Sequence, residues 1–254
     1  MGKINVQSLL TAETNDYLRG KAGNVSLKVE KRGEQGFGTG QKKLEMTCNE
    51  LLDKFEAGEE GLYLTTQYQD GKSDIASSMY PGLLPYLKDD FPERPQLIPT
   101  LIPDQYNIWF GNSKDGASSG LHHDFHDNLY VLLRGKKKFT LFAPSDAAKL
   151  YTHGQIDRIF PNGLIRYQGS DVRADGVSPS NPMDESDSED ELLPEPENPP
   201  SFSRIDIQTL HAQSLHYPKF PLFALATRVS VELQAGEMLY LPASWFHEVV
   251  SCSV

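Results

Sequence analysis

The stretch "SSGLHHDFHDNLYVLLRGKKKFTLFAPSD", Ser118 to Asp146, decides how this chain is read. Three histidines and two aspartates fall within the six positions His122 to Asp127, and an apolar run follows at once. Alternate residues of a strand share a face, so His122 and Asp124 can address one atom while His123 points to the other side. His126 has the same parity, but "HDN" is expected to bend the chain and leave His126 near the mouth of any pocket. Beyond it, "NLYVLL" (Asn128 to Leu133) is strand-like, Gly135 permits a turn, and "KKFTLF" alternates again. An H-x-D pair alone is a weak motif, so the reading needs a second half-site.

That half-site is "GEMLYLPASWFHEV", Gly236 to Val249, where a strand leads through Pro242 to His247. Two imidazoles and one carboxylate on one side of a metal leave the opposite positions open, the facial arrangement that suits non-haem Fe(II) and oxygen. Zinc with three protein ligands uses the same donors, and ligand identity does not separate the two. Lys137 bears on the choice. It shares parity with Phe139 and Leu141, so if those are core residues the ammonium is buried and needs an anionic partner, such as the carboxylate of a cosubstrate. If the register slips by one, Lys137 lies on the surface with Lys136.

Outward from these segments the signals are mostly strands and turns. "RVSVELQAGEMLYLP" reads as two strands joined at "QAGE", with Val229, Val231 and Leu233 alternating. Earlier, "TCNELLDKFEAGEEG" is expected to be a helix, with Thr47 and Glu50 forming a capping box, Leu51, Leu52 and Phe55 on one face, and Gly58 as the stop. "LYLTT", Leu62 to Thr66, is strand-like. Ser73 to Pro95 is expected to form helical turns lying over another element, and strand signals resume at "YNIWFG", Tyr106 to Gly111. His123, His153, His211 and His216 are expected to be surface or packing residues.

At 254 residues and 38% hydrophobic content the chain can bury a sizeable core. Its formal charge of −11 is local: "DESDSEDELLPEPE", Asp184 to Glu197, holds eight acids and no base, which leaves −3 for the remainder. A chain without a basic stripe is a poor candidate for gripping nucleic acid. From about 168 to 201, Ser, Asp, Glu and Pro dominate, and such a segment cannot offset its ordering entropy by burial. It is expected to be a disordered insertion within a single domain spanning residues 1–254. Ser186 and Ser188 each precede an acid by three residues, so the insertion is either a solvated spacer or a loop open to phosphorylation. Cys48 and Cys252 fit a reducing compartment. "MGKINVQSLL" is not a signal peptide, and no stretch reaches the length of a membrane span. A soluble cytoplasmic or nuclear protein is expected.

Together, "SSGLHHDFHDNLYVLLRGKKKFTLFAPSD" and "AGEMLYLPASWFHEV" closely resemble the Jumonji-C, cupin-like, Fe(II)- and 2-oxoglutarate-dependent oxygenases. Nearest are the small Jumonji-C-only protein lysyl hydroxylases, also described as bifunctional peptidases. The resemblance runs from about Thr47 to the end and skips the acidic insertion. It implies a mainly β fold, a double-stranded β-helix or jelly-roll with flanking N-terminal helices, in which His122, Asp124 and His247 hold iron. It also implies that Lys137 pairs with the distal carboxylate of 2-oxoglutarate, helped by Ser119 and by the hydroxyl of Tyr63, that Asn128 lines the cosubstrate, and that Trp109 forms an apolar wall. Each assignment has a plainer alternative: Tyr63 as a core tyrosine, Ser119 as a turn cap, Asn128 as a loop hydrogen-bonder.

The reaction so implied is hydroxylation of a protein side chain, lysine first, with Fe(II), 2-oxoglutarate and O2 as cofactors and a protein or peptide as partner. A histone demethylase, a tRNA-modifying hydroxylase, a peptidase and a non-catalytic cupin-like binding module are the alternatives. For the peptidase, nothing in the sequence designates a general base. In one respect the chain departs from the family: it ends at Val254, seven residues after His247, where members continue with another strand and often with dimerising helices. A truncated final strand, an open sheet edge beside His247 and a partly uncovered core are therefore expected, and a homodimer only where that C-terminal region is present.

Overall fold

The computed structural model describes residues 14–31, 43–65, 67, 79–112, 116–169, 199–212 and 218–252. Nearly all of the acidic insertion, with Ser186 and Ser188, lies outside the described residues, as do Thr66, residues 73–78, His216 and the side chain of His211. The chain is mainly β, with antiparallel sheets and few helices. It divides into two compact units, one comprising the residues up to Ala117 with Leu133–Gly135, the other Ser118–Leu132 and Lys136–Ser251.

Among the described residues the first unit has a four-stranded sheet and two α-helices. Its elements are α1 (Thr14–Ala22), β1 (Ser26–Lys31), β2 (Lys43–Thr47), α2 (Cys48–Glu56), β3 (Leu62–Leu64) and β4 (Phe110–Gly111), with strand order β2-β1-β3-β4. Helix α2 starts where the sequence demands: Thr47 Oγ1 accepts from Glu50 N, and the Glu50 carboxylate accepts from Thr47 N at 2.7 Å. It ends at the left-handed Gly58, φ 77°. Leu51 and Leu52 then pack with Leu18, Leu27, Val29, Leu62 and Leu64 into one core. In β3 the two leucines are buried and Tyr63 between them points the other way. Its ring lies over Gly111, where a Cβ would meet Tyr63 Cδ2 at 2.1 Å. The proline-rich segment makes two short 3-10 turns, Leu84–Tyr86 and Lys88–Asp90, which bring Leu83 and Leu87 into the same core. Ordered structure begins earlier than the resemblance suggests, because α1, β1 and β2 start before Thr47.

The second unit carries β5 (His122–His123), β6 (Asn128–Val131), β7 (Lys136–Phe142), β8 (Ile156–Ile159), β9 (Ile165–Tyr167), α3 (Ile207–Ala212), β10 (Arg228–Gln234), β11 (Met238–Leu241) and β12 (Phe246–Cys252). One sheet runs β10-β7-β12-β5, and β11-β6 and β8-β9 form two-stranded sheets. Glycines in the left-handed region, Gly135 at φ 81° and Gly236 at φ 89°, make the tight connections before β7 and between β10 and β11. The odd residues of β7, Phe139 and Leu141, pack with Leu233 of β10 and Leu241 of β11. Even residues face the other way: Phe142 and Phe246 pack with Leu121, Tyr167, Ile205 and Ile207. The four-stranded sheet thus has an apolar cluster on each face.

One expectation changes here. The strand bearing His247 lies between β7 and β5, so it has neighbours on both sides and no open edge beside it. The edge is β5, and residues 201–203 line it: Ser203 N donates to Leu121 O at 2.8 Å and His123 N to Ser201 O at 3.3 Å. Val229, Val231 and Leu233 alternate along β10 as expected, with burial rising from Val229, 47% exposed at the outer end, to the buried Leu233. Among the described residues no helix is long and apolar enough to cross a membrane.

Candidate metal centre

Two strands bring the half-sites together. β5 and β12 pair antiparallel with His122 directly opposite His247 and His123 opposite Phe246. Cross-strand partners share a face, so the two imidazoles meet with ring centroids 4.4 Å apart. His123 turns to the opposite cluster, where it is buried. The chain leaves β5 at Asp124, and that carboxylate reaches both rings: Oδ1 lies 4.0 Å from His122 Nε2 and Oδ2 lies 3.7 Å from His247 Nε2. One donor atom from each of the three residues falls within 4.8 Å of the others, a spacing that can hold a metal ion. His126 is exposed past the bend and is not in this group.

The donors are oriented as a metal requires. His122 Nδ1 donates to Gly120 O at 3.0 Å, and His247 Nδ1 donates to Trp245 O at 3.0 Å, each bond reaching back two residues. A carbonyl can only accept, so both Nδ1 atoms carry the proton and, in the neutral rings, both Nε2 lone pairs face Asp124. Burial, followed by the nearby His247, pushes His122 down to about 4, which keeps that ring neutral and able to ligate at neutral pH. Asp124 is held by its backbone, whose carbonyl accepts from Ser244 N at 2.8 Å. Ser244 adopts φ 64° to make this contact, a strained conformation for a residue other than glycine. Phe202 stacks on the His122 ring, with centroids 4.7 Å apart and planes 12° from parallel.

Behind the site, His123 Nδ1 donates to Asp124 O at 3.2 Å, and its Nε2 accepts from the Tyr167 hydroxyl at 2.7 Å. Burial lowers His123 to about 4 and raises the Tyr167 hydroxyl well above its usual range.

The residues named for the cosubstrate are distributed as follows. Lys137 is half-buried opposite Leu233, on the face that carries Phe139, Leu141, His122 and His247. Lys136 lies on the other face and pairs with Glu232 at 2.7 Å, so the shifted register is not the one formed. Asn128 begins β6 half-buried, with the parity of Tyr130 and Leu132, which pack on the Phe139 cluster. Ser119 has a structural job: its hydroxyl donates to Gly120 O at 2.9 Å and accepts from Val249 N at 3.0 Å, which commits its only proton to the backbone. Tyr63 belongs to the first unit, where burial and then Glu30 push its hydroxyl up to about 12. Trp109, also in the first unit, is 37% exposed. Phe202, Ser244 and the two carbonyls that orient the histidines escaped the sequence reading. Carbonyl acceptors leave no residue signature, and Phe202 arrives from beyond the acidic insertion.

Comparison with known proteins agrees with this geometry. Residues 4–253 match the family described as Cupin-like domain. The chain is similar to JmjC domain-containing protein 4 of Schizosaccharomyces pombe, 32% identical over 95% of this chain and 72% of that protein. It is similar also to the human bifunctional peptidase and (3S)-lysyl hydroxylase JMJD7, 31% identical over 74% of this chain, and to human tRNA wybutosine-synthesizing protein 5, 25% identical over 78%. It spans 49% and 45% of the length of these two relatives. A cupin-like match along almost the whole chain, a JmjC relative covered over most of its length, and a His-Asp-His cluster on paired strands make this chain a member of the cupin-like, Jumonji-C family.

Proposed function

We propose that this chain is an Fe(II)- and 2-oxoglutarate-dependent dioxygenase that hydroxylates a protein side chain, with lysine the first substrate to test. One observation carries the reading: a single sheet face presents two imidazoles with their Nε2 atoms turned to one carboxylate, and the same face presents Lys137. His122, Asp124 and His247 would hold the metal, and the soft-to-borderline nitrogen pair with one carboxylate fits Fe(II). When bound, iron with 2-oxoglutarate supplies the activation of O2 that hydroxylation of an unactivated C–H bond needs. The chain's residues do the rest. Gly120 O and Trp245 O fix the imidazoles, Ser244 N fixes the Asp124 backbone, and the apolar cluster of Phe139, Leu141, Leu233 and Leu241 excludes water from the adjoining face. Lys137 is the cation that would hold the distal carboxylate of the cosubstrate, with Asn128 beside the same interior.

A lysine in a protein or peptide is favoured as substrate by the lysyl hydroxylase relative, and the lack of a basic stripe in the sequence opposes nucleic acid. The cytoplasmic or nuclear setting belongs to the same proposal. Succinate release from 2-oxoglutarate with Fe(II), ascorbate and lysine-containing peptides tests it. Turnover is expected in the wild type, abolished in His122→Ala, and restricted to high 2-oxoglutarate in Lys137→Ala. Turnover that survives His122→Ala would overturn the metal triad, and none with either 2-oxoglutarate alone or any peptide would leave a non-catalytic binding module. Preference for methylated lysine would mark a demethylase instead.

A further inference from the structure

We infer that Glu248 is a positioning residue for the metal centre, joining the two half-sites through Ser118 and the backbone of Gly120; this rests on reading His122, Asp124 and His247 as a metal site. Glu248 follows His247 on β12 but points to the opposite face of the sheet, where it is 3% exposed. A buried carboxyl needs a donor. Ser118 Oγ supplies it, donating to Glu248 Oε1 at 2.7 Å, and burial raises the Glu248 carboxyl above its usual range.

The same Ser118 oxygen accepts from Gly120 N at 3.0 Å. Glu248 therefore decides which way the Ser118 hydroxyl points: with its proton on the carboxylate, the oxygen's lone pairs are left for the Gly120 amide. The other end of the Gly120 residue is its carbonyl, the acceptor for His122 Nδ1. Gly120 sits at φ 70°, a conformation that other residues reach only with strain and that lets its N–H meet Ser118 while its carbonyl meets His122. Ser119 fastens the same segment to β12, through Ser119 N to Val249 O at 3.0 Å and Val249 N to Ser119 Oγ at 3.0 Å.

The result is a continuous path, Glu248 to Ser118 to Gly120 to His122. It starts on the residue adjoining one imidazole ligand and ends on the other. Removing the carboxylate frees the Ser118 hydroxyl to turn and weakens the hold on Gly120 N, which leaves Ser119 Oγ alone to steady the Gly120 carbonyl and fixes the His122 ring less firmly. Outer partners that hold a ligating histidine typically carry ten- to a hundredfold in metal affinity. Glu248 acts through two intermediates, so a loss of about tenfold is expected.

The test is Co(II) titration of the full chain, followed by calorimetry and by the visible d–d spectrum, in wild type, Glu248→Ala, Glu248→Gln, Ser118→Ala and His122→Ala. Each is measured well below the melting temperature of its metal-free form. Wild type is expected to bind one Co(II), and His122→Ala to lose the site. Glu248→Ala and Ser118→Ala should bind about tenfold more weakly with an altered spectrum, and Glu248→Gln, which keeps an acceptor oxygen, should return close to wild type. Should Glu248→Ala fail to fold, Ser118→Ala carries the same expectation with little change in volume. Wild-type affinity and spectrum in the folded variants overturn the role of Glu248 while the metal site stands. Absence of Co(II) binding by the wild type overturns the metal site, and this inference with it.

Discussion

Replacing Gly111 by alanine should damage the protein only because Tyr63 is there. The added Cβ would lie 2.1 Å from Tyr63 Cδ2, 2.7 Å from Cε2 and 3.2 Å from Leu62 O. Carbon atoms settle at about 3.5–4.0 Å, so the ring must retreat by more than an ångström. β3 is anchored by Leu62 and Leu64 in the core, so the backbone cannot move to make room and the ring must leave its rotamer. Overpacking of this kind costs about 1–3 kcal/mol, and alanine's better fit to a strand returns about 0.5 kcal/mol. A net loss of about 0.5–2.5 kcal/mol is expected in urea unfolding of the wild-type background. In a Tyr63→Ala background the ring clash is gone and the 3.2 Å approach to Leu62 O is what remains, so the same substitution should cost much less. Equal costs in the two backgrounds would refute the reasoning, since the coupling in this double-mutant cycle is the clash itself.

Acid should weaken the metal-free protein through His123, whose folded value is lowered to about 4 by burial. The stability it confers is complete above its ordinary value of 6.5 and is lost as pH falls toward 4, so about 2 kcal/mol should disappear between pH 7 and pH 5. Urea unfolding in chelator should show a correspondingly smaller loss for His123→Gln; an identical loss would remove His123 from the account. Thr47→Ala deletes the capping box of α2 and should cost about 1 kcal/mol, read as a shift in the urea midpoint at unchanged slope, whereas an unchanged midpoint would mean the cap contributes nothing.

Local chemistry made much of this architecture readable. The Thr47–Glu50 box and Gly58 bound a helix by themselves, and the alternation in "KKFTLF" placed Phe139 and Leu141 on one face, with Lys137 following by parity. The metal half-sites were legible for the same reason, since strand parity joins His122 to Asp124 and separates His123. What could not be read depends on pairing between distant segments. Which residue stands opposite His247 is fixed by the β5–β12 register, not by either segment. That register also placed β12 inside the sheet, where sequence alone suggested an edge. Ser119 shows the limit most plainly: a serine three positions before a ligand looks available to a carboxylate, but its proton is taken by a carbonyl one residue away. Glu248 was equally silent, because a carboxylate beside a histidine reads as surface until its face of the sheet is known.

The central claim is that His122, Asp124 and His247 grip one divalent ion between β5 and β12. Crystals of the full chain grown with Mn(II) as an air-stable stand-in for Fe(II) address it directly through anomalous scattering. A single strong peak at about 2.0–2.3 Å from both Nε2 atoms and an Asp124 oxygen is the predicted result. A peak elsewhere, or none at an Mn(II) concentration that saturates binding in solution, would contradict it.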